Sequence, residues 1–359
     1  MKLELAEALT APRVWQSDRR HLITIDDLDD DGLGRVLGLA QEFARVGRRD
    51  IKKLPTLRGR TVLNMFFESS TRTSSSFELA AKRLSADLLS VKSAGSAVDK
   101  GESLKDTILT LTAYDPDVIV IRHPNIGAPR LVAGYANAHV VNAGDGKHEH
   151  PTQCLLDLYT MNEACGRIKG LHVAIVGDVL HSRVARSDIK GLVRLGAFVT
   201  LVGPPTLVPQ ELALLHPNIS ISHDINAIRE ADVVYVLRMQ LERMQAGASF
   251  VPSLREYTNR WAVTADRVSP HQFVMHPGPM NRGVEIDGAV ADGANSLIQR
   301  QVQAGLFVRM AALYDLVTRP AATPAGTTAT DVSTAGEAAV PATTGDAPVA
   351  TNRQEVAPC

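Results

Sequence analysis

Hydrophobic positions along the chain form short runs rich in β-branched residues, and stretches with helical spacing separate these runs. The runs lie at 61–67, 118–122, 139–142, 171–177, 198–202, 232–237 and 273–276. After the first run, apolar residues recur at helical spacing, namely Phe77, Leu79, Ala80, Ala81 and Leu84. Such alternation predicts an α/β fold in which helices cover both faces of parallel sheets.

The length of the chain bounds the number of domains. With 359 residues, 45% of them hydrophobic, the chain can fold as two α/β domains. We place the break near Gly146–Pro151, which gives domains at 1–149 and 150–319, and we expect a helix near 298–318 to pack back on the first domain. From 320 to 359 Ala, Thr, Pro, Gly and Val dominate, and this composition predicts a disordered tail.

Charge and cysteine content narrow the class of protein. The net charge is -1, so no global basic field would draw the chain to nucleic acid or to an acidic membrane surface. No uncharged run approaches the length that spans a bilayer. Cys154, Cys165 and Cys359 lack the spacing of a disulfide framework or a zinc site. We therefore expect a cytoplasmic protein without membrane or nucleic-acid partners.

Hydroxyl groups and an arginine are concentrated between the run at 61–67 and the helical pattern that follows it. This segment contains Ser70, Thr71, Arg72 and Thr73. A predicted helix N-terminus favours negative charge through its unpaired N–H groups and its dipole. The arginine adds a planar fork suited to phosphate oxygens. The segment predicts an anion site, and a serine-rich helix cap with one solvated arginine is the alternative.

Further polar groups follow other predicted strands. They are Arg122, the loop Gly144–His150, Asp178–Arg183, Arg238 and the segment His276–Pro279. Because ligand sites of parallel sheets lie at the carboxyl ends of the strands, all of them can share one cleft. A metal site at His148 and His150 is disfavoured because these residues are two apart. An NAD-dependent oxidoreductase is disfavoured because the turn after 171–177 lacks G-x-G-x-x-G.

Taken in order over roughly residues 20 to 318, these segments resemble the aspartate/ornithine carbamoyltransferase family, and within it the aspartate carbamoyltransferases. The resemblance implies two domains with the active site in the cleft between them. It implies transfer of the carbamoyl group of carbamoyl phosphate to the α-amine of L-aspartate, a step of pyrimidine biosynthesis, without a cofactor or a metal. Ornithine enzymes typically carry His-Cys-Leu-Pro where this chain has His276-Pro277-Gly278-Pro279. A carbamoyltransferase for another amino acid and a non-catalytic scaffold are the alternatives.

The resemblance also implies a role for each site residue. Carbamoyl phosphate would be bound by Ser70, Thr71, Arg72, Thr73, Ser96, Lys100, Arg122, His150, Gln153, Pro277 and Gly278. Aspartate would be bound by Lys100, Arg183, Arg238, Gln240, Gly278 and Pro279. Catalytic roles would fall to Thr73, Lys100, Arg122 and His150. In this scheme His150 polarises the carbonyl group, and Gln153 hydrogen-bonds the carbamoyl amide.

Two of these residues would act in a neighbouring chain. Ser96 and Lys100 match the pair that an adjacent subunit inserts into the active site, which implies a homotrimer with shared sites. Assembly with other chains of the pyrimidine pathway stays open. The chain departs from the family at Ser74, where many relatives have arginine, and at Met239, where valine is common.

Overall fold

The protein contains two parallel β-sheets. The computed structural model describes residues 20–92, 101–240 and 250–319. The first sheet has the strand order β2-β1-β3-β4. Its strands are β1 (Thr61–Phe66), β2 (Asp87–Lys92), β3 (Val118–His123) and β4 (His139–Asp145). The second sheet has the order β7-β6-β5-β8-β9. Its strands are β5 (His172–Val176), β6 (Phe198–Val202), β7 (Ile219–Ser222), β8 (Val233–Val236) and β9 (Phe273–Met275).

Helices connect the strands and flank both sheets. The α-helices are α1 (Asp30–Val46), α2 (Thr71–Arg83), α3 (Leu104–Thr112), α4 (Ala128–Tyr135), α5 (Pro151–Cys165), α6 (Arg183–Arg194), α7 (Leu254–Trp261), α8 (Gly288–Ala291) and α9 (Ile298–Thr318). Short 3-10 helices lie at Ile25–Asp27, Pro55–Leu57, Gln210–Leu215 and Ile225–Glu230. No helix in the three described ranges combines the length and apolar character that crossing a lipid bilayer requires.

Successive residues of the first sheet face two hydrophobic layers. Val62, Val118 and Val120 belong to the largest buried cluster, whereas Leu63 and Ile119 belong to a separate cluster on the other face. Because side chains alternate along a strand, a sheet that is buried on both faces needs apolar residues at consecutive positions. The uninterrupted apolar runs of the sequence meet this requirement. The predicted α/β fold with two helix-flanked parallel sheets is confirmed.

The ends of several strands differ from the predicted ones. The run at 61–67 ends as a strand at Phe66, and the run at 139–142 continues to Asp145. Leu79 was assigned to the buried face of the helix after β1, but it is exposed, whereas Phe77, Ala80 and Ala81 are fully buried. This assignment was wrong because residue 79 lies on the helix face that points away from the sheet.

Two edge strands were not predicted at all. Within the described part of the chain, β2 pairs only with β1, and β7 pairs only with β6. Strand β2 contains Asp87, Ser90 and Lys92, and β7 contains Ser220 and Ser222. Polar residues are normal on an edge strand, which is only partly covered. They interrupt the apolar run by which the central strands are recognised.

The predicted domain boundary at 149/150 lies between β4 and α5. Helix α5 begins at Pro151 and packs against β4 as well as against α6 and α9. It therefore contacts elements on both sides of the proposed break, and the boundary stays a prediction. Residues 320–359, for which a tail was predicted, lie outside the described ranges.

The last helix ties the C-terminal end of the described chain to the first half. Helix α9 packs against α1, α2 and α5. Near its end, Asp315 is 4% exposed and accepts hydrogen bonds from Arg35 Nε at 2.7 Å and Arg20 Nη1 at 3.3 Å. Arg20 also donates to the backbone carbonyl of Asp315. This buried carboxylate joins α9 to the start of the described chain.

Replacing Asp315 by asparagine should lower the free energy of unfolding by about 1–3 kcal/mol, since two guanidinium groups lose an ionised partner. The Arg20 and Arg35 side chains are 20% and 33% exposed, and water screening keeps the effect toward the lower end. The Glu42–Arg45 pair, whose side chains are more than 60% exposed, supplies the control. Urea unfolding measures both changes, and Glu42→Gln should shift the midpoint negligibly. Equal shifts of the midpoint in the two variants would contradict a stabilising role of Asp315 between α9 and the start of the described chain.

Candidate active site

The carboxyl ends of strands from both sheets border one cavity of about 760 Å³. The predicted site residues that line it are Ser70, Thr71, Arg72, Thr73, Arg122, His150, Gln153, Arg183, Arg238, Gln240, Pro277, Gly278 and Pro279. Ser96 and Lys100 lie outside the described residues. The cavity therefore collects every predicted site residue that the structure describes. Their individual roles stay predictions.

Helix α2 begins at one wall of the cavity. Ser70 is its N-cap residue, with extended backbone, but the Ser70 side chain makes no capping hydrogen bond. The helix therefore starts within the hydroxyl-rich segment, as the sequence predicts. The first N–H groups of a helix have no acceptor within the helix. Together with the helix dipole, they leave an N-terminus suited to an anion.

Arg72 lies on this first turn and faces the segment after β9. Burial and the charge of Arg238 lower the pKa of Arg72. A Cβ atom at Gly278 would lie 2.6 Å from Arg72 Nη2, and the φ of Gly278 is +64°. A larger residue would be strained and would also displace the guanidinium group. Glycine at this position therefore allows the segment to approach Arg72 closely.

Hydrogen bonds inside the segment fix its turn. The Gly278 N–H donates to His276 Nδ1 at 2.8 Å, so the proton of the neutral imidazole lies on Nε2, 3.3 Å from Glu285 Oε1. Burial lowers the pKa of His276, and Glu285 opposes the shift. The backbone N–H of His276 donates to Gln301 Oε1 at 2.9 Å. These bonds hold the backbone of Pro277 and Gly278 at the cavity wall.

A carboxylate joins two arginines that are far apart in the chain, one on a strand and one on a helix. Glu68 Oε1 accepts a hydrogen bond from Arg122 Nη2 at 2.6 Å and another from Arg183 Nη2. Arg122 lies on β3, and Arg183 is the first residue of α6. A Cβ atom at Gly144, whose φ is +115°, would approach both guanidinium groups within 3.2 Å. Glycine at this position therefore leaves room for the pair.

His150 is buried among positive charges. It is 3% exposed, and neither ring nitrogen has a hydrogen-bond partner among the described residues. Its backbone N–H donates to Ser187 Oγ at 2.9 Å, which fixes its position. Burial, followed by the charges of Arg122, Arg309 and Arg183, lowers the pKa of His150 well below its usual value. The imidazole is therefore neutral near pH 7 and can donate a single hydrogen bond into the cavity.

Arg238 and Gln240 line the cavity just beyond β8. Between them, Met239 is fully buried beside Leu207 and Tyr257. Because Met239 points into this apolar cluster, its two neighbours point the other way. The departure from the common valine at this position therefore falls in the core and leaves the polar pair on the cavity side.

Several polar residues that line the cavity were not predicted as site residues. Among them are Glu68, Gln301 and Arg309. Arg309 is 4% exposed, donates from Nη1 to Ser76 Oγ at 2.7 Å and lies 5.2 Å from the Phe77 ring centroid. Burial lowers the pKa of Arg309 to about 9, and Asp157 opposes the shift. Polar residues within the apolar pattern of α9 are a sequence signal that could have identified Gln301 and Arg309.

Sequence and structure comparisons agree with this geometry. The aspartate/ornithine carbamoyltransferase family matches over both of its parts, the carbamoyl-P binding domain at 20–163 and the Asp/Orn binding domain at 169–316. An aspartate carbamoyltransferase catalytic subunit from Salinispora arenicola is 54% identical over 303 residues, which cover 83% of this chain and 98% of that protein.

Solved structures give the same result. An aspartate transcarbamoylase from Trypanosoma cruzi, in complex with carbamoyl phosphate and aspartate, superposes with a TM-score of 0.75 at 31% identity, covering 84% of this chain and 98% of that one. The catalytic subunit of M. Jannaschii aspartate transcarbamoylase gives a TM-score of 0.73 at 34% identity, covering 83% of this chain and 98% of that one. On these matches, the chain belongs to the aspartate/ornithine carbamoyltransferase family.

Proposed function

We propose that this chain is the catalytic chain of an aspartate carbamoyltransferase. The α-amine of L-aspartate attacks the carbonyl carbon of carbamoyl phosphate and forms a C–N bond. The tetrahedral intermediate collapses, the C–O bond to phosphate breaks, and the products are N-carbamoyl-L-aspartate, phosphate and the proton of the amine. The supporting observation is a buried, neutral His150 close to Arg122, Arg309 and Arg183, in a cavity that Arg72 and Arg238 also line.

The first group of residues suits carbamoyl phosphate. In the proposed scheme the start of α2, with Ser70, Thr71, Arg72 and Thr73, binds the phosphate as a dianion. Arg122 contacts both the phosphate and the carbonyl oxygen. His150 donates a hydrogen bond to the oxyanion that develops, and Thr73 reaches the same oxygen. Burial favours the neutral imidazole, which can donate a hydrogen bond through its ring N–H. In this role His150 does not remove a proton from the amine.

The second group suits a dicarboxylic amino acid. Arg183 would bind the α-carboxylate of aspartate, and Arg238 with Gln240 would bind the side-chain carboxylate. Guanidinium groups can bind carboxylates through two parallel hydrogen bonds. The backbone carbonyls of Pro277 and Gly278 would accept hydrogen bonds from the amine and the carbamoyl nitrogen, and Pro279 completes this wall. Glu68 bonds Nη2 of Arg183, whereas Nη1 has no hydrogen-bond partner among the described residues, so Nη1 can donate to the α-carboxylate.

The assembly belongs to the same proposal. Ser96 and Lys100 would enter the cavity of a neighbouring chain, which requires a homotrimer, and larger assemblies with other pyrimidine-pathway chains are compatible with it. We also propose a cytoplasmic location. The two cysteines in the described ranges, Cys154 and Cys165, are free thiols, as expected in a reducing compartment.

A panel of acceptor amino acids tests the proposed reaction. The purified enzyme with carbamoyl phosphate should release phosphate rapidly with L-aspartate and at a negligible rate with L-ornithine, because Arg238 would repel a cationic side chain. Colorimetric detection of the carbamoylated product distinguishes transfer from hydrolysis. Comparable turnover of ornithine and aspartate would overturn the substrate assignment, and the absence of any transfer would favour a non-catalytic scaffold.

A further inference from the structure

A buried carboxylate behind the cavity gathers hydrogen-bond donors from three elements. Asp157, on α5, is 1% exposed. Its Oδ2 accepts from Tyr235 OH at 2.8 Å, and its Oδ1 accepts from Gln301 Nε2 at 2.6 Å. Gln153 Nε2 lies 3.1 Å from Oδ2 and 3.3 Å from Oδ1. Every one of these neutral groups donates, so the carboxylate acts as an acceptor throughout.

This contact determines which end of the Gln153 amide faces the cavity. An amide group has an NH2 donor on one side and a carbonyl acceptor on the other. Since Nε2 of Gln153 is bound to Asp157, Oε1 is the atom left for a ligand in the cavity that Gln153 lines. If residue 157 offered a donor instead, the amide could rotate and present its NH2 group to the ligand.

The carboxylate form of Asp157 is supported by its surroundings. Burial raises the pKa of Asp157 to about 7, and the hydrogen bonds from Gln301, Tyr235 and Gln153, together with the charge of Arg309, oppose the rise. At pH 8 the ionised form therefore predominates. Gln301 extends the same arrangement, since its Oε1 accepts the backbone N–H of His276. Asp157 thus also supports the segment that carries Pro277 and Gly278.

We propose that Asp157 is a positioning residue that makes the site select a carbamoyl group over other acyl groups. This inference rests on the proposed function. Asp157 turns Gln153 so that Oε1 accepts a hydrogen bond from the NH2 of carbamoyl phosphate. Acetyl phosphate has the same phosphate and carbonyl groups but carries a methyl group in place of that NH2. It offers no donor to Oε1, and the site discriminates against it.

The test compares the dissociation constants of carbamoyl phosphate and acetyl phosphate at pH 8. The native enzyme should bind carbamoyl phosphate more tightly. Asp157→Asn keeps the side-chain shape but supplies an NH2 group that can bond Gln153 Oε1. The affinity ratio of the two ligands should then fall roughly tenfold, the worth of one hydrogen bond at the upper end of its usual range, and binding of acetyl phosphate should change little.

A double variant provides a rescue. Asp157→Asn combined with Gln153→Glu exchanges the carboxylate and the amide, so that the asparagine NH2 bonds the glutamate and a carboxylate oxygen faces the ligand. The preference for carbamoyl phosphate should return toward the native ratio. The double variant keeps the charge and the number of polar groups, so it tests the proposal even if Asp157→Asn does not fold.

Asp188 supplies the matched control. It lies on α6, is 2% exposed, and burial followed by the charge of Asp157 raises its pKa well above the usual value. Neither carboxylate oxygen of Asp188 has a hydrogen-bond partner among the described residues. Asp188→Asn therefore changes the same functional group near the same cluster without a hydrogen bond to Gln153, and it should leave the affinity ratio unchanged. An equal fall with Asp188→Asn, an unchanged ratio in folded Asp157→Asn, or a double variant without the preference would each overturn the proposal. Failure of the native enzyme to bind carbamoyl phosphate would instead refute the proposed function.

Discussion

Alanine in place of His150 should lower kcat by a factor on the order of 10² to 10³, the usual effect of removing one oxyanion donor. The KM for carbamoyl phosphate should change less, because the arginines and the start of α2 bind the phosphate. Because burial lowers the pKa of His150 well below its usual value, the imidazole is neutral at pH 7 and above. The loss of kcat should therefore be uniform from pH 7 to 9 rather than a displacement of the pH profile.

His148 provides the control for this change. It lies two residues earlier, its side chain is 36% exposed, and it contacts Asp145 rather than the cavity. His148→Ala should retain near-native kcat. If His150→Ala kept more than about a tenth of native kcat, well short of the usual loss, the proposed carbonyl-polarising role would be refuted.

His150→Ala also tests whether each active site is shared between two neighbouring chains. Lys100→Ala, which removes a positive charge from the proposed phosphate site, should also be nearly inactive. Mixing the two inactive variants after dissociation and reassembly should restore activity, because some cavities then combine native His150 of one chain with native Lys100 of the next. Hybrid trimers that form and stay inactive would contradict the shared-site trimer.

Replacing Arg238 by alanine should raise the KM for aspartate. The expected loss of binding free energy is about 2–5 kcal/mol, because the side-chain carboxylate of aspartate would be buried without its guanidinium partner. Carbamoyl phosphate binding should be nearly native, because the start of α2 does not depend on this side chain. Initial-rate measurements with each substrate varied in turn separate the two effects. Arg238→Lys should recover only part of the loss, since it restores the charge without the two-pronged geometry.

Arg282 is the control for Arg238. It is an exposed arginine near the same segment, and both of its terminal nitrogens bond Asp292, at 2.7 and 2.8 Å. Arg282→Ala should leave the KM for aspartate within about a factor of two, as expected for a surface ion pair. A similar increase in both variants would show that general loss of positive charge, rather than direct contact, weakens aspartate binding.

The central strands and the cavity could be predicted from sequence because each has a local signal. A buried parallel strand such as β3 is a continuous apolar run, and polar residues at strand ends must meet at one edge of the sheet. Edge strands β2 and β7 lack this signal because polar residues such as Ser90 and Ser220 stand at exposed positions within them. The boundary between residues 149 and 150 and the roles of the site residues still await experiment.

The buried hydrogen bonds around Asp157 could not be predicted, for a different reason. Helix α5 is buried on nearly every side, so its sequence has no amphipathic stripe that would mark a carboxylate as internal. The partners of Asp157 lie far away in the chain, Tyr235 on β8 and Gln301 on α9. Sequence shows which residue types can pair, but tertiary packing decides which of them meet.

The concentration of positive charge in the cavity also affects how the protein is handled. Among the described residues, five arginines line it, Arg72, Arg122, Arg183, Arg238 and Arg309, against one glutamate, Glu68. Because sulfate and inorganic phosphate match the shape and charge of the leaving group of the proposed reaction, we expect them to bind at the proposed phosphate site. Preparations made in such buffers should then start an assay partly inhibited and, because a ligand bound to the native state opposes unfolding, should resist heat better than the same protein in chloride alone.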